Sequence, residues 1–356
     1  SRPEVRRRLL TKRRCLVKRL YGAIDLHSNN NYSVISDQED RVICERKLEN
    51  SLEEVDAFFR PFRSELNALV LESTYNGYWL MDGLTDRGYD VKLANPSQMQ
   101  PYLGLKHRDD SSDGLWLNRM HRLGVLPEGY IYPKHGRGMR DLLRKRLFLV
   151  HHRTSLINSL KHQYQTWKAE NVSADAIKKL NVEEVEADFK DVFVRQGVEV
   201  LRQSAQALSS QIAGIEESLK QVLRKDPLVN RLQVLPGIGK VLAWTIRLEI
   251  GELARFREDW RPYLSYCGLV DSKHESNEKT KGHGNRKNRN RYLRWAYGEA
   301  AIVALRYPKI RVYHDRLARK KGKIKAKAIL ASKIARVSFM MMQAPGMIYS
   351  QEKLWS

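Results

Sequence analysis

The sequence is poor in cysteine and in acidic residues, and it has no long apolar run. Its three cysteines, Cys15, Cys44 and Cys267, are scattered without paired spacing, which argues against a disulfide framework or a cysteine-rich zinc site. No apolar stretch reaches the length of a membrane span, and no signal-peptide pattern is present. We therefore predict a protein of the reducing cytoplasm with no membrane partner.

The charge balance points to a polyanionic partner. The chain carries 64 Lys and Arg against 41 Asp and Glu, a formal net charge of +23 over 356 residues. Such an excess favours nucleic acid as a partner, with an acidic membrane surface as the alternative. Residues 1–19 contain nine basic residues and one acid. They are predicted to be a basic arm that orders on nucleic acid, or else a solvated tail.

The first third of the chain has the pattern of a mixed sheet. Apolar runs at 20–26, 32–36 and 42–48 predict three strands joined by polar turns. A helix at 52–62, a strand at 66–71, a helix at 77–87 and a strand at 90–94 follow. This order of elements is that of the RNase H-like, or RuvC-like, α/β fold.

Four acids occupy notable places in this pattern. Asp25 lies in the first apolar strand, and Glu72 ends the fourth. Asp110 and Asp113, three residues apart, share one face of a helix. Singly, these acids could cap a turn or complement a helix dipole. Together they predict a Mg²⁺ site, because Mg²⁺ prefers carboxylate oxygens and two such ions can hold both sides of a phosphodiester displacement. Asp109 is the alternative to Asp110.

Two long helices are predicted in the middle of the chain, over 138–170 and around 201–222. The second has an apolar seam with alternating steps of four and three residues, a heptad pattern. The seam residues are Leu201, Ala205, Leu208, Ile212, Ile215, Leu219 and Val222. The pattern fits an intramolecular helical hairpin and a coiled coil between two chains equally well.

The last third is rich in candidate phosphate contacts. The stretch 235–240, Leu-Pro-Gly-Ile-Gly-Lys, resembles a helix–hairpin–helix, whose small residues let backbone amides approach a phosphate; a tight packing turn is the alternative. A loop at 281–294 has many basic residues and no acid. A third basic run at 316–327 leads into an apolar helix. The predicted nucleic-acid contacts are Gly237, Gly239, Lys279, Lys281, Arg286, Lys287, Arg289, Arg291 and Arg294.

In this order the motifs resemble those of the DEDD transposases of insertion-sequence family one hundred and ten, the bridge-RNA-guided recombinases. The resemblance spans about residues 20–340. The matching positions are Ile24-Asp25, Leu71-Glu72, Asp110-x-x-Asp113, 235–239, and the segment from Gly268 through His274-Glu275-Ser276 to Arg294.

The resemblance implies a RuvC-like domain that holds Mg²⁺ and a carboxy-terminal transposase domain with Ser276 as nucleophile. It also implies a guide RNA, donor and target DNA, and a bacterial cytoplasmic, nucleoid-associated location. The composite site would combine halves from different subunits of a dimer or tetramer.

Three positions depart from the family pattern. Asn277 stands where a glycine usually follows the serine, Asp109 replaces a threonine, and Gly114 replaces an alanine. A serine hydroxyl needs a base or a metal to activate it. His274 is either that base or a phosphate contact, and Ser272 is a weaker candidate nucleophile in the same loop.

The predicted organisation has five parts. They are a basic arm at 1–19, a RuvC-like domain at 20–135, a helical coiled-coil domain at 136–230, a mainly α transposase domain at 231–343 and a tail at 344–356. The predicted function is an RNA-guided DNA recombinase that uses Mg²⁺ and Ser276. The alternatives are a RuvC-like nuclease or junction resolvase with water as nucleophile, and a non-enzymatic nucleic-acid scaffold.

Overall fold

The computed structural model describes residues 20–72, 76–99, 110–270, 273–276, 279–283, 289–344, 346–347 and 349–350. At 97, 110–112, 273–276 and 279–283 it describes the backbone without the side chains. The predicted basic arm lies outside these residues, as do Asp109, Ser272, Asn277, Arg286 and Lys287. The chain forms two compact units, the first ending at Ile131 and the second beginning at Tyr132.

The first unit contains a five-stranded sheet and its covering helices. Its elements are β1 (Leu20–Leu26), β2 (Asn30–Ser36), β3 (Val42–Glu49), α1 (Leu52–Phe59), a 3₁₀ turn (Arg60–Phe62), β4 (Leu66–Glu72), α2 (Tyr78–Asp86), β5 (Val91–Ala94), α3 (Pro96–Met99) and α4 (Asp110–Arg122). The strand order is β3-β2-β1-β4-β5, with β2 antiparallel to its two neighbours and β4 parallel to β1 and β5. The predicted mixed α/β fold class is confirmed.

The predicted helix over 52–62 is shorter than expected. Its regular α-helical part stops at Phe59, and a 3₁₀ turn continues to Phe62. Pro61 explains the change, because proline has no backbone N–H to continue the helical hydrogen-bond ladder.

Two separate apolar layers cover the sheet. Strand side chains alternate between the faces, so neighbours along one strand enter different layers. Helices α1 and α2 cover one face; the buried residues there include Ile24, Leu69, Leu71, Phe59 and Leu80. Helix α4 covers the other face; its layer includes Ala23, Val34, Val70, Trp116 and Met120.

The second unit is mainly helical. Its elements are α5 (Lys134–Lys168), α6 (Ala174–Lys179), α7 (Val182–Asp188), α8 (Val192–Leu223), α9 (Pro227–Gln233), α10 (Lys240–Ile250), a 3₁₀ turn (Leu253–Phe256), α11 (Trp260–Tyr266), β6 (Lys273–Ser276), β7 (Lys279–His283), α12 (Arg291–Ala304), α13 (Pro308–Lys321) and α14 (Lys323–Gln343). Of the helices in the described ranges, none is both long and apolar enough to cross a membrane.

Helices α5 and α8 pack against each other within one chain. The α8 seam residues Ala205, Ile212 and Leu219 are buried, as the heptad pattern predicts. At the end of the helix the prediction was wrong: Val222 is 58% exposed, whereas Leu223 is 3% exposed. A straight helix has 3.6 residues per turn, so a 3.5-residue seam drifts around it. The intramolecular hairpin is thus present, and a contact with a second chain stays a prediction.

The main core of the second unit lies among α10, α11, α12 and α14. Its largest fully buried side chains are Trp244, Tyr263, Tyr297 and Phe339. The hydroxyl of Tyr297 forms hydrogen bonds with those of Tyr263 and Ser338, so these buried polar groups are satisfied. Tyr297 is therefore a core residue, whereas Trp295, two residues earlier on α12, is half-buried.

Candidate active site

The sheet brings two of the predicted metal ligands to one end. Ile24 of β1 pairs with Leu71 of β4 in a parallel register. Asp25 and Glu72 are the next residues on these adjacent strands, so they occupy the same edge of the sheet. Parallel strands place their carboxyl ends together, and this is how residues 47 positions apart in sequence become neighbours in the fold.

Both acids belong to the face that α4 covers. Ala23 and Val70 are packed in the α4 layer. Asp25 and Glu72 each follow two residues later on the same strand, and residues two apart share a face. Asp25 is 3% exposed, whereas Glu72 is half-buried.

Helix α4 begins at this same end of the sheet. Gly114, directly after its first turn, lies so close to β2 that an added Cβ would be 3.2 Å from Cδ1 of Tyr32, the strand partner of Asp25. Further along, Asn118 Nδ2 donates to the Tyr21 carbonyl and to Ser36 Oγ, each at 2.9 Å. The first turn of α4 is thereby held next to the strand that carries Asp25.

The first turn of α4 carries the other two predicted acids. Asp110 begins the helix and Asp113 lies three residues on, half-buried. The side chain of Asp110 is outside the described part of the chain. Acids in a first helical turn also complement the helix dipole, so this placement suits both interpretations made from the sequence.

His27 is a site residue that the sequence did not single out. Its Nε2 is 3.4 Å from Oδ2 of Asp25, and its side chain is 44% exposed. The His27 carbonyl accepts hydrogen bonds from Asn50 Nδ2 at 3.0 Å and Asn76 Nδ2 at 3.2 Å. These two asparagines fix the β1–β2 turn beside Asp25. The sequence signal that could have identified His27 as a site residue was its position two residues after Asp25.

The donor chemistry at this edge suits a hard divalent cation. Carboxylate oxygens are the ligands that Mg²⁺ prefers. Among the side chains that the structure describes, however, no three His, Cys, Asp or Glu are grouped closely enough to hold a metal. The four-acid ligand set, which includes the undescribed Asp110 side chain, therefore stays a prediction.

The segment with Ser276 differs from the predicted polar loop. β6 and β7 form an antiparallel hairpin, and Ser276, the last residue of β6, pairs with Lys279, the first of β7. The sequence predicted a loop because neither strand has an apolar residue. Backbone pairing between the two strands needs no such residues, and Lys273, Glu275 and Ser276 pair with His283, Thr280 and Lys279. Ser276 thus sits at the tip of a hairpin, and Lys281 lies in β7.

A buried polar network anchors the chain where it leaves this hairpin region. Asn290 caps α12 by accepting from the Tyr292 and Leu293 amides. Its Nδ2 donates to Glu249 Oε2 at 2.8 Å, and Glu249, 2% exposed, also accepts two hydrogen bonds from Arg144. Although burial opposes it, the hydrogen bonds and charge of Glu249 raise the pKa of Arg144. The network ties α5, α10 and α12 together.

The predicted nucleic-acid contacts divide into packed and exposed residues. Gly237 is buried with φ +87°, and an added Cβ would lie 2.1 Å from the Ala300 carbonyl oxygen, so its visible role is close packing on α12. Gly239 is exposed and caps α10, with nothing within 4 Å of an added Cβ. Arg291 and Arg294 are exposed, and Arg294 donates to the Gly268 carbonyl.

Comparison with known proteins identifies the chain. A family model described as "Transposase", for the DEDD transposases of IS110, matches residues 23–166. A second, described as "Transposase IS116/IS110/IS902 family", matches residues 229–315. The two together cover more than half of the chain. They define the class: this is a DNA transposase. The chain belongs to the IS110 family of DEDD transposases.

Two curated relatives agree with this assignment. A protein of Pseudomonas aeruginosa named "Probable family 20 transposase" is 24% identical over 274 residues, which cover 75% of this chain and 79% of the relative. A protein of Sinorhizobium fredii named "Putative transposase y4qE" is 25% identical over 244 residues. That match spans 67% of this chain and 58% of the relative.

Proposed function

We propose that this transposase is an RNA-guided DNA recombinase of a mobile element, which cuts and rejoins strands through a phosphoserine intermediate at Ser276. Mg²⁺ would be held by Asp25, Glu72, Asp110 and Asp113. The observation that supports this most is the parallel pairing of β1 with β4, which sets Asp25 beside Glu72 on the α4 face. A RuvC-like domain with a DEDD ligand set needs such an arrangement.

The carboxylate edge is suited to phosphoryl transfer. When bound, Mg²⁺ would supply charge stabilisation for the scissile phosphate and its leaving oxygen. Asp25 is almost fully buried, and a buried carboxylate is costly unless a cation or hydrogen bonds compensate it. His27 is near this carboxylate, with its Nε2 3.4 Å from Oδ2 of Asp25.

The serine step conserves the phosphodiester bond energy. Ser276 Oγ would attack the phosphorus, forming an O–P ester as the bond to the DNA leaving oxygen breaks. The hydroxyl proton passes to a base, for which His274 is the candidate, and the leaving oxygen takes up a proton to become a DNA hydroxyl. Attack by a second DNA hydroxyl reverses the sequence, so strands rejoin without ATP. Lys279, the strand partner of Ser276, and Lys281, two residues further along β7, would balance the developing charge.

RNA guidance and assembly complete the proposal. A guide RNA would select donor and target DNA, and a dimer or tetramer would combine the carboxylates of one subunit with the serine of another. The α5–α8 hairpin would contribute to the contact between subunits. The net charge of +23 supports nucleic-acid partners. We propose a bacterial cytoplasmic, nucleoid-associated location.

Matched active-site variants test the chemistry. With labelled donor DNA and its copurified RNA, we expect Ser276→Ala to abolish both the covalent protein–DNA adduct on a denaturing gel and strand exchange. Asp25→Asn should abolish adduct formation and leave DNA binding unchanged. Cleavage that persists in Ser276→Ala would replace the proposal with the water-dependent nuclease. Cleavage that persists in Asp25→Asn would exclude the carboxylate site.

A copurification experiment tests the RNA partner separately. We expect the protein, expressed with its flanking element, to retain one discrete RNA whose sequence matches the donor and target ends. Ribonuclease treatment should then abolish recombination. Activity that survives the treatment, or a random population of bound RNA, would contradict RNA guidance without affecting the serine mechanism.

A further inference from the structure

Trp79, in the first turn of α2, exposes an aromatic ring to solvent. It is 39% exposed, whereas Leu80 and Met81, the next two residues of the helix, are buried in the layer between α2 and the sheet. Tryptophan is highly buried on average in folded proteins, because its ring has a large apolar surface. The packing of α2 on the sheet therefore uses the neighbours of Trp79 and leaves its ring available to a ligand.

The topology places this turn at the carboxylate edge of the sheet. Strands β4 and β5 are parallel and α2 connects them, so α2 runs back along the sheet and begins near the carboxyl end of β4, where Glu72 lies. A hydrogen bond supports the placement independently: Asn76, three residues before Trp79, donates from Nδ2 to the His27 carbonyl at 3.2 Å. His27 follows Asp25 by two residues. The Trp79 turn and the Asp25 end of β1 are therefore neighbours.

Helix α2 covers the face of the sheet opposite to that of the two carboxylates. Asp25 and Glu72 belong to the α4 face, whereas Leu80 packs in the layer of α1 and α2. The Cα–Cβ bonds of a helix lean toward its N-terminus, so the bond at Trp79 is directed toward the strand ends. Trp79 thus stands at the rim of the carboxylate edge, one layer away from the acids. This position suits a nucleotide that flanks the scissile phosphate better than it suits the phosphate itself.

The surface at this edge is polar apart from the Trp79 ring. The connections that meet there carry half-buried or exposed polar residues: Ser28, Asn29, Asn50 and Asn76. Among the described residues from 20 to 99, the other exposed large apolar side chains are Val42 and Ile43. They lie at the start of β3, which is at the end of the sheet opposite to Asp25. A protein interface needs a contiguous apolar centre. One aromatic ring in polar surroundings suits a single planar ligand group instead.

We propose that Trp79 is a stacking platform for a nucleobase of the nucleic-acid strand bound at the carboxylate edge. A base has two flat faces and a polar rim, which match an indole ring in polar surroundings. The bases of an intact duplex are stacked on one another, so the base that Trp79 takes is an unpaired one. Trp79 is then a positioning residue that holds the strand in register with Asp25 and Glu72. The inference rests on the proposed function of that edge.

Four variants of the full chain test the stacking. Trp79→Ala removes the ring, Trp79→Leu keeps an apolar side chain without a ring, and Trp79→Phe keeps an aromatic one. Trp167→Ala, the control, removes a tryptophan of α5 that is 58% exposed. Each variant is titrated with a single-stranded DNA, a single-stranded RNA and a blunt DNA duplex of equal length and mixed sequence. EDTA is present, so that binding is measured apart from metal-dependent chemistry, and the salt concentration is varied.

We expect Trp79→Ala and Trp79→Leu to lose about tenfold in affinity for at least one single strand, with the duplex affinity unchanged. The slope of log K against log salt should also stay unchanged, because stacking releases no counterions from phosphates. Trp79→Phe and Trp167→Ala should stay within about threefold of wild type. The strand that shows the loss, DNA or RNA, identifies the source of the base. With 5-iodouracil in that strand, irradiation should crosslink the wild-type protein at Trp79.

Three results would overturn the proposal. An equal loss for the duplex, or a reduced salt slope, would indicate a phosphate contact in place of stacking. Wild-type binding by Trp79→Leu would show that no aromatic face is required. Wild-type binding of both single strands by Trp79→Ala, with dissociation into smaller assemblies, would assign the ring to a contact with a second copy of the chain.

The binding assay is also independent of the proposed chemistry. Ser276→Ala keeps Trp79 and should bind the single strands as wild type does. Failure of the serine mechanism would therefore appear in the covalent-adduct assay with Trp79-dependent binding retained. Failure of the stacking role would appear in the binding assay, whatever the adduct assay shows.

Discussion

Arg144 of α5 meets both carboxylate oxygens of Glu249 of α10, with Nε–Oε1 and Nη2–Oε2 distances of 2.7 Å each. Glu249 is almost fully buried, and its second oxygen also accepts from Asn290, the cap of α12. These contacts join α5, one of the two helices of the α5–α8 hairpin, to the start of α12, where the chain leaves the Ser276 region. The ion pair is a structural anchor for the start of α12, which follows the Ser276 hairpin in the chain.

Replacing Glu249 by glutamine should loosen this anchor. The Arg144 charge would lose its partner, and breaking a buried pair in this way costs about 3 kcal/mol. Denaturant unfolding measures the loss, and hydrogen exchange should show faster exchange at the Tyr292 and Leu293 amides that Asn290 caps. Glu217→Gln removes the partner of an exposed pair with Lys220 and should change stability by less than about 0.5 kcal/mol. Similar costs at the two positions would contradict the anchoring role.

Gly237 and Gly239 should respond in opposite ways to alanine. At Gly237 the positive φ and the 2.1 Å approach to the Ala300 carbonyl leave no room for a Cβ, so Gly237→Ala should cost at least about 2 kcal/mol and lower the thermal midpoint by several degrees. Gly239→Ala meets no atom within 4 Å and should leave the midpoint within about 2 °C of wild type. A drop in DNA affinity of Gly239→Ala, with stability retained, would support the predicted phosphate contact. A wild-type thermal midpoint for Gly237→Ala would contradict the packing role of Gly237.

The sheet could be predicted from the sequence because its signal is local. Alternating apolar runs and polar turns fixed β1, β4 and β5 to within a residue or so. β2 begins at Asn30, two residues earlier than expected. Asn31 explains the difference: it is fully buried, and its amide donates to the Glu49 carbonyl at 3.0 Å, a strand role that its polarity conceals.

The features that could not be predicted from the sequence depend on contacts between distant residues or on backbone pairing alone. The β6–β7 hairpin has no apolar alternation to reveal it. The Arg144–Glu249 pair joins residues 105 positions apart, and nothing in either local sequence indicates the other. The contacts of Lys333 with the Tyr313 ring and of Arg336 with the Trp260 ring likewise join α14 to α13 and to α11. The sequence showed the charge of this region and not these ring contacts.

Acid should destabilise the first unit partly through Asp56. Burial alone would raise the pKa of Asp56, but hydrogen bonds from Arg60 and Tyr89 and the charge of Arg87 lower it. A carboxyl with a lowered folded-state pKa contributes its full stability above its ordinary pKa, near 4, and loses it as the pH falls through the lower folded value. The stability advantage of wild type over Asp56→Asn should therefore be constant from pH 7 to about 5 and shrink below pH 4.

Thermal unfolding at several pH values measures this difference. Glu39→Gln, at an exposed position in a turn of the same unit, is measured alongside it as the control for replacing a carboxylate by an amide. An Asp56→Asn difference that is as large at pH 3 as at pH 7 would show that the carboxylate charge does not carry the stabilisation.

Asn118 should link the stability of α4 to the proposed chemistry. It is 1% exposed, and its amide spans β1 and β2 through the Tyr21 carbonyl and Ser36 Oγ. Asn118→Ala leaves these two acceptors without that donor, which costs about 1–3 kcal/mol. It also frees the helix turn that carries Asp113, and a displacement of about 1 Å at a catalytic group can lower a rate about 100-fold. Adduct formation by Asn118→Ala should therefore fall well below wild type at temperatures where the protein is still folded.

Arg119→Gln provides the matched control on the next residue of α4. Arg119 pairs with Asp40 at 2.9 Å on the solvent side, with half of its side chain exposed, so its loss should cost less than about 1 kcal/mol. DNA affinity should be similar in the two variants, because neither change touches the basic surfaces of the second unit. If Asn118→Ala formed the adduct at the wild-type rate, the position of α4 against β1 would not matter for catalysis, and the assignment of Asp113 to the metal site would lose its structural support.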